Sequence, residues 1–169
     1  MSTPLPDLAW DWLMLAEGGY SRVKADPGGR TKYGIAEASH PEAWVNGPPT
    51  EAAARAIYSR HYWEAYHCGD LPIRLGLMLL DLLVQHPPAV AVRLWQQCIV
   101  AHPVDGILGP ETRRKGQQAD AAQVMDAYFP TRALHYAQLV AGNSSFAPFL
   151  RGWQARLFRL QRYLLMRTR

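Results

Sequence analysis

At 169 residues, with 49% hydrophobic and 19% charged side chains, the chain has apolar material for one compact core, and its most apolar run, "IRLGLMLLDLLV", is too short and too interrupted by Arg74 and Asp81 to span a bilayer. The net charge of +4 is local: residues 151–169 hold six arginines and no acid, which leaves 12 basic against 14 acidic residues elsewhere. That balance, with no recognised binding motif, argues against nucleic acid as a partner, and two cysteines, Cys68 and Cys98, are too few for a disulfide framework.

The start, "MSTPLPDLAWDWLML", lacks the basic opening and small-residue cleavage site of a secretory signal, so cytoplasmic synthesis is expected, with export by another route. From Asp7 to Glu17, Leu8, Trp12 and Leu15 recur at helical spacing, as do Trp10, Leu13 and Met14, and Gly18 and Gly19 end this helix. Residues 20–35 lose that period and carry the turn signal "DPGG", which predicts a small β-hairpin or extended loop. Thr50 is placed to cap a helix from about Glu51 to Tyr66, with Ala54, Ile57, Tyr58 and His61 along one side. Residues 71–85 predict a buried central helix, which "QHPP" ends before a helix from Ala89 to Val100. "HPVDGILGPET" is a turn into a helix that Pro110 starts, and helices over about 119–141, kinked at Pro130, and 146–166 complete the chain. The expectation is one mostly helical unit with a tiny β lobe.

Glu17 and Asp26, with eight residues between them, each stand beside glycines. A general acid must be protonated near neutral pH, and at Glu17 both the C-terminal end of a helix dipole and Trp- and Leu-rich surroundings work against a carboxylate. Asp26, in a glycine-rich turn, is open to backbone N–H groups and water that keep it ionised. Two carboxyl groups with unlike environments suit glycosidic hydrolysis through an oxocarbenium-like transition state. The plainer alternative is a surface acid at a helix end and a common Asp-Pro-Gly turn former.

"EGGY" followed by "DPGGRTKYGI" resembles the signature of the glycoside hydrolase family 108 endolysins and related secretion-activator muramidases. Later stretches, "YSRHYWEAYHCGDLP", "LMLLDLLVQ", "VDGILGPET" and "FLRGWQARL", are similar to that family's further blocks in order, so the resemblance covers nearly the whole chain. It implies a lysozyme-like α+β fold with a helical C-terminal lobe. It divides the chain into a hydrolase region at 5–94 and a peptidoglycan-binding region at 95–166, packed as one unit. It also implies cleavage of the β-1,4 bond between N-acetylmuramic acid and N-acetylglucosamine, with Glu17 as the essential acid and Asp26 as its partner. A lytic transglycosylase and a non-catalytic wall-binding or secretion-accessory protein are the alternatives. Acting in the periplasm, such an enzyme is expected to leave the cytoplasm through a separate holin or channel.

Substrate contacts are expected from Tyr20, Thr31, Tyr33, Asp81 and Gln85. Thr31 falls one residue short of the phage lysozyme spacing, so it and Tyr33 share the role of positioning water or lining the cleft. The chain departs from the family at Arg30, Lys32, Gln85 and Pro87. Asp81 and Gln85, one turn apart, share a helix face and either reach the sugar or, for Asp81, form a satisfied buried polar group. No cofactor is implied, and His61, His67, Cys68, Cys98 and His102 have no metal-site spacing. In the last helix Trp153, Leu157, Leu160 and Leu164 form a core-facing stripe, with Arg151, Arg156, Arg159 and Arg162 expected in solvent. Contact with a membrane through this helix is the less favoured alternative, and a monomer is expected.

Overall fold

The computed structural model describes residues 3–17, 20, 21 and 30–167. Seven α-helices are described: α1 Asp7–Glu17, α2 Glu51–Tyr58, α3 Ile73–Gln85, α4 Pro88–Cys98, α5 Pro110–Gln118, α6 Ala121–Gly142 and α7 Ala147–Arg167. Between α1 and α2 lies a sheet of three two-residue antiparallel strands in chain order, β1 Tyr20–Ser21, β2 Thr31–Lys32 and β3 Ile35–Ala36. Strands β2 and β3 pair Lys32 with Ile35 across the two-residue turn Tyr33–Gly34, and both turn residues have positive φ, 53° and 75°. That is the backbone of a type I′ hairpin, whose twist matches the paired strands.

The two expected start signals operate: Thr50 Oγ1 accepts from Ala53 N at 3.2 Å, and Pro110 opens α5. Two more appear in the structure, where Pro88 opens α4 and Asp120 caps α6 through Ala122 N and Gln123 N. Proline opens a helix without loss because the first turn's N–H groups have no helical partner. Pro130 lies inside an unbroken α6, on its exposed side, where the bond it forfeits faces water.

One expected helix divides. The segment after α2 winds as a π-helix over Ser59–Glu64, and the extra residue per turn shifts the inward face. His61 is therefore exposed, and Trp63 takes the buried position that a continued α-helix would have given elsewhere. Helix α3 is buried from Leu75 to Leu83 and forms the axis of a single apolar cluster running from Leu5 in the N-terminal segment to Leu164 in α7. Around it, α4 packs on α3, α6 on α4, and α7 on both α6 and α1. The last contact brings the two ends of the chain together. Both cysteines are free and buried, and burial pushes the Cys98 thiol up to about 11. Among the described residues no helix is long and apolar enough to cross a membrane.

Candidate active site

Glu17 is the last residue of α1, and its side chain remains 26% exposed. The Tyr33–Gly34 turn presses against it: a methyl group at Gly34 would fall 2.9 Å from Glu17 Cβ and 2.2 Å from the Tyr58 hydroxyl. Only glycine permits this approach at φ 75°. Tyr58 donates to the Tyr33 carbonyl at 3.2 Å, which ties the hairpin to the end of α2. Burial raises the Tyr58 and Tyr62 phenols above their ordinary range, and the Glu17 charge raises both further. Trp10 completes this wall, its ring 6.5 Å from Tyr33 and 6.2 Å from Tyr58.

The Trp- and Leu-rich surroundings expected to work against a Glu17 carboxylate are joined by a cation from α7, which the sequence reading did not place there. Arg156 Nη1 donates to Glu17 Oε1 across 139 positions of sequence, and Arg156 is buried rather than solvated. Its other nitrogens are spent on α3, with Nε and Nη2 donating to Asp81 Oδ1 at 3.0 and 2.7 Å. The same oxygen accepts from Trp12 Nε1 of α1 at 3.0 Å, while Asp81 Oδ2 accepts from Arg132 Nη1 of α6 at 2.6 Å. Arg132 also donates to the Tyr128 hydroxyl at 2.6 Å and, through Nη2, to Gln85 Oε1 and the Tyr136 hydroxyl. The Tyr128 hydroxyl in turn donates to the Met78 carbonyl at 2.9 Å.

Two acids and two arginines thus form one chain of contacts from solvent to the core: Glu17, Arg156, Asp81, Arg132. Burial works against the Asp81 carboxylate, but Arg156 and Arg132 outweigh it and hold its pKa down at about 2. Burial likewise opposes the charges of both arginines. Asp81 and Glu17 overcome this at Arg156, and Tyr128 and Asp81 do so at Arg132, raising both above the usual value. A paired and hydrogen-bonded cluster of this kind fixes side-chain directions because each displaced member leaves a buried charge uncompensated.

The predicted residues divide accordingly. Asp81, read from sequence either as a sugar contact or as a satisfied buried polar group, is 0% exposed with both its oxygens occupied, so it is the buried polar group and anchors the arginines. Gln85, half-buried, gives its carbonyl oxygen to Arg132 and to Tyr136, the latter at 2.8 Å, and is part of the same anchor. Thr31 stands half-buried on β2, paired with Ser21 and Ala36, and Tyr33 stands in the turn against Glu17. Tyr20 is in β1, and Asp26 lies outside the described residues. The departing residue Arg30 pairs with Glu37 at 2.6 Å and lies over the Trp44 ring, and Lys32 lies over Tyr33.

Arg156 and Arg132 are what the sequence reading missed. Each had a signal. Arg156 occupies the same helix face as Leu160 and Leu164, at four-residue steps, and Arg132 sits between Tyr128 and Tyr136 at the same step. An arginine inside an apolar stripe requires a buried acid, and Asp81 is the acid within "LMLLDLLVQ".

The second half of the chain has its own polar centre. Gln96, 1% exposed, donates to Asp105 Oδ1 at 2.8 Å and to Thr112 Oγ1 at 3.1 Å, and accepts from Gly106 N at 2.9 Å. One amide therefore pins the Asp-Gly turn to the first turn of α5. Among the described residues no three His, Cys, Asp or Glu side chains cluster as metal ligands.

Residues 10–86 match the family model described as glycosyl hydrolase 108, and residues 90–158 match that described as a predicted peptidoglycan domain. Among solved structures, that of Brucella abortus SagA is similar, with 27% sequence identity and a TM-score of 0.73, over 95% of this chain and 94% of that one. No curated protein matches.

Proposed function

The chain is a lysozyme-like, peptidoglycan-acting protein that joins a glycosyl hydrolase 108 region to a peptidoglycan domain, and from that premise we propose that it is an N-acetylmuramidase with Glu17 as general acid. The bond cleaved is the β-1,4 linkage between N-acetylmuramic acid and N-acetylglucosamine. The observation that carries the reading is the setting of Glu17: a partly open carboxyl at a helix end, bounded by the Tyr33–Gly34 turn and aimed by Arg156.

In this reading the protonated Glu17 gives its proton to the leaving glycosidic oxygen as the C–O bond breaks. Arg156 Nη1, hydrogen-bonded to Glu17 Oε1, holds the carboxyl in one direction and leaves Oε2 to carry the proton. The ionised Asp26 balances the positive charge that develops on the sugar ring or steers the incoming water. Thr31 and Tyr33, on the hairpin that abuts Glu17, contact the sugar. The second half of the chain holds the wall strand.

The test pairs two readouts on purified peptidoglycan from a Gram-negative wall. Wild type is expected to lower turbidity and to release fragments ending in reducing N-acetylmuramic acid, while Glu17→Gln does neither. Anhydro ends would convert the reading to transglycosylation, and clearance by Glu17→Gln would remove Glu17 from the chemistry.

A further inference from the structure

Helix α7 is apolar on two sides. Trp153, Leu157, Leu160 and Leu164 pack inward on the core. On the outward side Phe158 is 68% and Met166 63% exposed, Leu165 is exposed beside them, and Arg151, Arg159 and Arg162 are interleaved with them at one-turn spacing. Leu15 of α1, expected from its spacing to face the core, is instead 60% exposed. Large apolar side chains grouped in this way are uncommon on a surface that meets only water.

Where this face meets α1, a cavity of about 360 Å³ is lined by Trp12 and Leu15 of α1 and by Arg159, Arg162, Met166 and Arg167 of α7. Among the described residues no acid lines it; Asp11, one turn back on α1, acts on the Tyr163 hydroxyl from outside the lining. Three guanidinium groups without a carboxylate between them match a phosphate, which takes forked N–H donors. The exposed hydrocarbon around them selects among phosphate-bearing partners. Nucleic acid would reward the arginines and leave Leu165 and Met166 in water, whereas a bilayer rewards both, charge at its headgroups and hydrocarbon at its acyl boundary.

We propose that the outward face of α7 and the arginine cavity beside Leu15 dock the protein on an anionic phospholipid bilayer, with a lipid phosphate between Arg159, Arg162 and Arg167. Phe158, Leu165 and Met166 enter the boundary between headgroups and acyl chains. Only Trp12, whose ring lines the cavity and whose Nε1 donates to Asp81, is shared with the Glu17–Arg156–Asp81 chain, and none of the residues altered below is, so the proposal stands whether or not the chain cleaves peptidoglycan. Its sign is clear: binding strengthens with anionic lipid and weakens with salt.

Cosedimentation of the full chain with large vesicles tests this, comparing phosphatidylcholine alone with phosphatidylcholine containing phosphatidylglycerol. Binding is expected only to the anionic vesicles. Each arginine near such a surface is worth about fivefold in partitioning, so Arg159→Gln with Arg162→Gln should bind about 25-fold more weakly. Leu165→Ser with Met166→Ser should also bind more weakly, and both pairs should keep the wild-type melting temperature because all four side chains are exposed. Equal binding to neutral vesicles, wild-type binding by either pair, release by millimolar inorganic phosphate, or tighter binding to duplex DNA than to vesicles would each overturn the proposal.

Discussion

Replacing Asp81 by asparagine removes one negative charge from between two buried guanidinium groups while keeping the side chain's size. In the wild type, Asp81 and Glu17 match Arg132 and Arg156; in Asp81→Asn only the partly exposed Glu17 remains to offset both. Breaking a buried ion pair by removing one partner costs about 3–5 kcal/mol. The titration of Asp81 has the same sign, since Arg156 and Arg132 outweigh its burial and favour the folded chain with Asp81 ionised. For a chain of this length each kcal/mol moves the melting temperature by about 2–4 °C, so Asp81→Asn should melt roughly 6–20 °C below wild type at pH 7. Thermal scans by circular dichroism at 222 nm measure this directly. Adding Arg132→Met restores charge balance, with Arg156 facing Glu17 alone. The double variant should therefore lose less than the two single losses combined, by about 1 kcal/mol or more. Peptidoglycan turnover should fall about a hundredfold in Asp81→Asn, because Arg156 loses the anchor that fixes its reach to Glu17. A melting temperature within about 3 °C of wild type would refute the charge argument. Strict additivity in the cycle would show that Asp81 and Arg132 are not a coupled pair.

Gly34→Ala should destabilise the fold by more than the roughly 1–2 kcal/mol of a residue forced into left-handed backbone, since its methyl also meets the Tyr58 hydroxyl and Glu17 Cβ. Gly47→Ala, at φ 96° with nothing within 4 Å, carries the backbone term alone and is the control, so equal losses from the two would argue against the close approach at Glu17. Acid should destabilise the chain in two windows of the same sign. Burial first, and then Arg132, lower the His86 pKa from 6.5 to about 3, so its neutral form contributes stability above pH 6.5 that is lost as pH falls toward 3. Asp81, also depressed, adds a loss as pH falls from 3.8 toward 2. His86→Gln should flatten the melting temperature between pH 6.5 and 4, and an unchanged slope there would assign the loss to other groups.

Helix ends and the buried axis were legible in the sequence because each depends on neighbours within a turn or two. Thr50 caps the helix it precedes and Pro110 opens α5, whereas the expected Asp-Pro-Gly-Gly turn lies outside the described residues and the two-residue turn at Tyr33–Gly34 was not read from the sequence. Glu17 was legible for the same reason, as an acid at a helix end ahead of two glycines. The π-helical turn at Ser59–Glu64 was not, since no local residue signals it and its effect is to hand a core position to Trp63.

Which charges meet in the chain that holds Glu17 was decided by the tertiary structure, although the two arginines left a trace in the helical spacing. Arg156 reaches Glu17 across 139 positions and Asp81 across 75, and Arg132 reaches Asp81 across 51. Amphipathic spacing assigns an arginine to solvent by default, because an unpaired guanidinium in a core is prohibitively unfavourable. That default fails only when another helix delivers a carboxylate to the same point, and such a meeting is decided by how α1, α3, α6 and α7 pack, not by the residues beside the arginine.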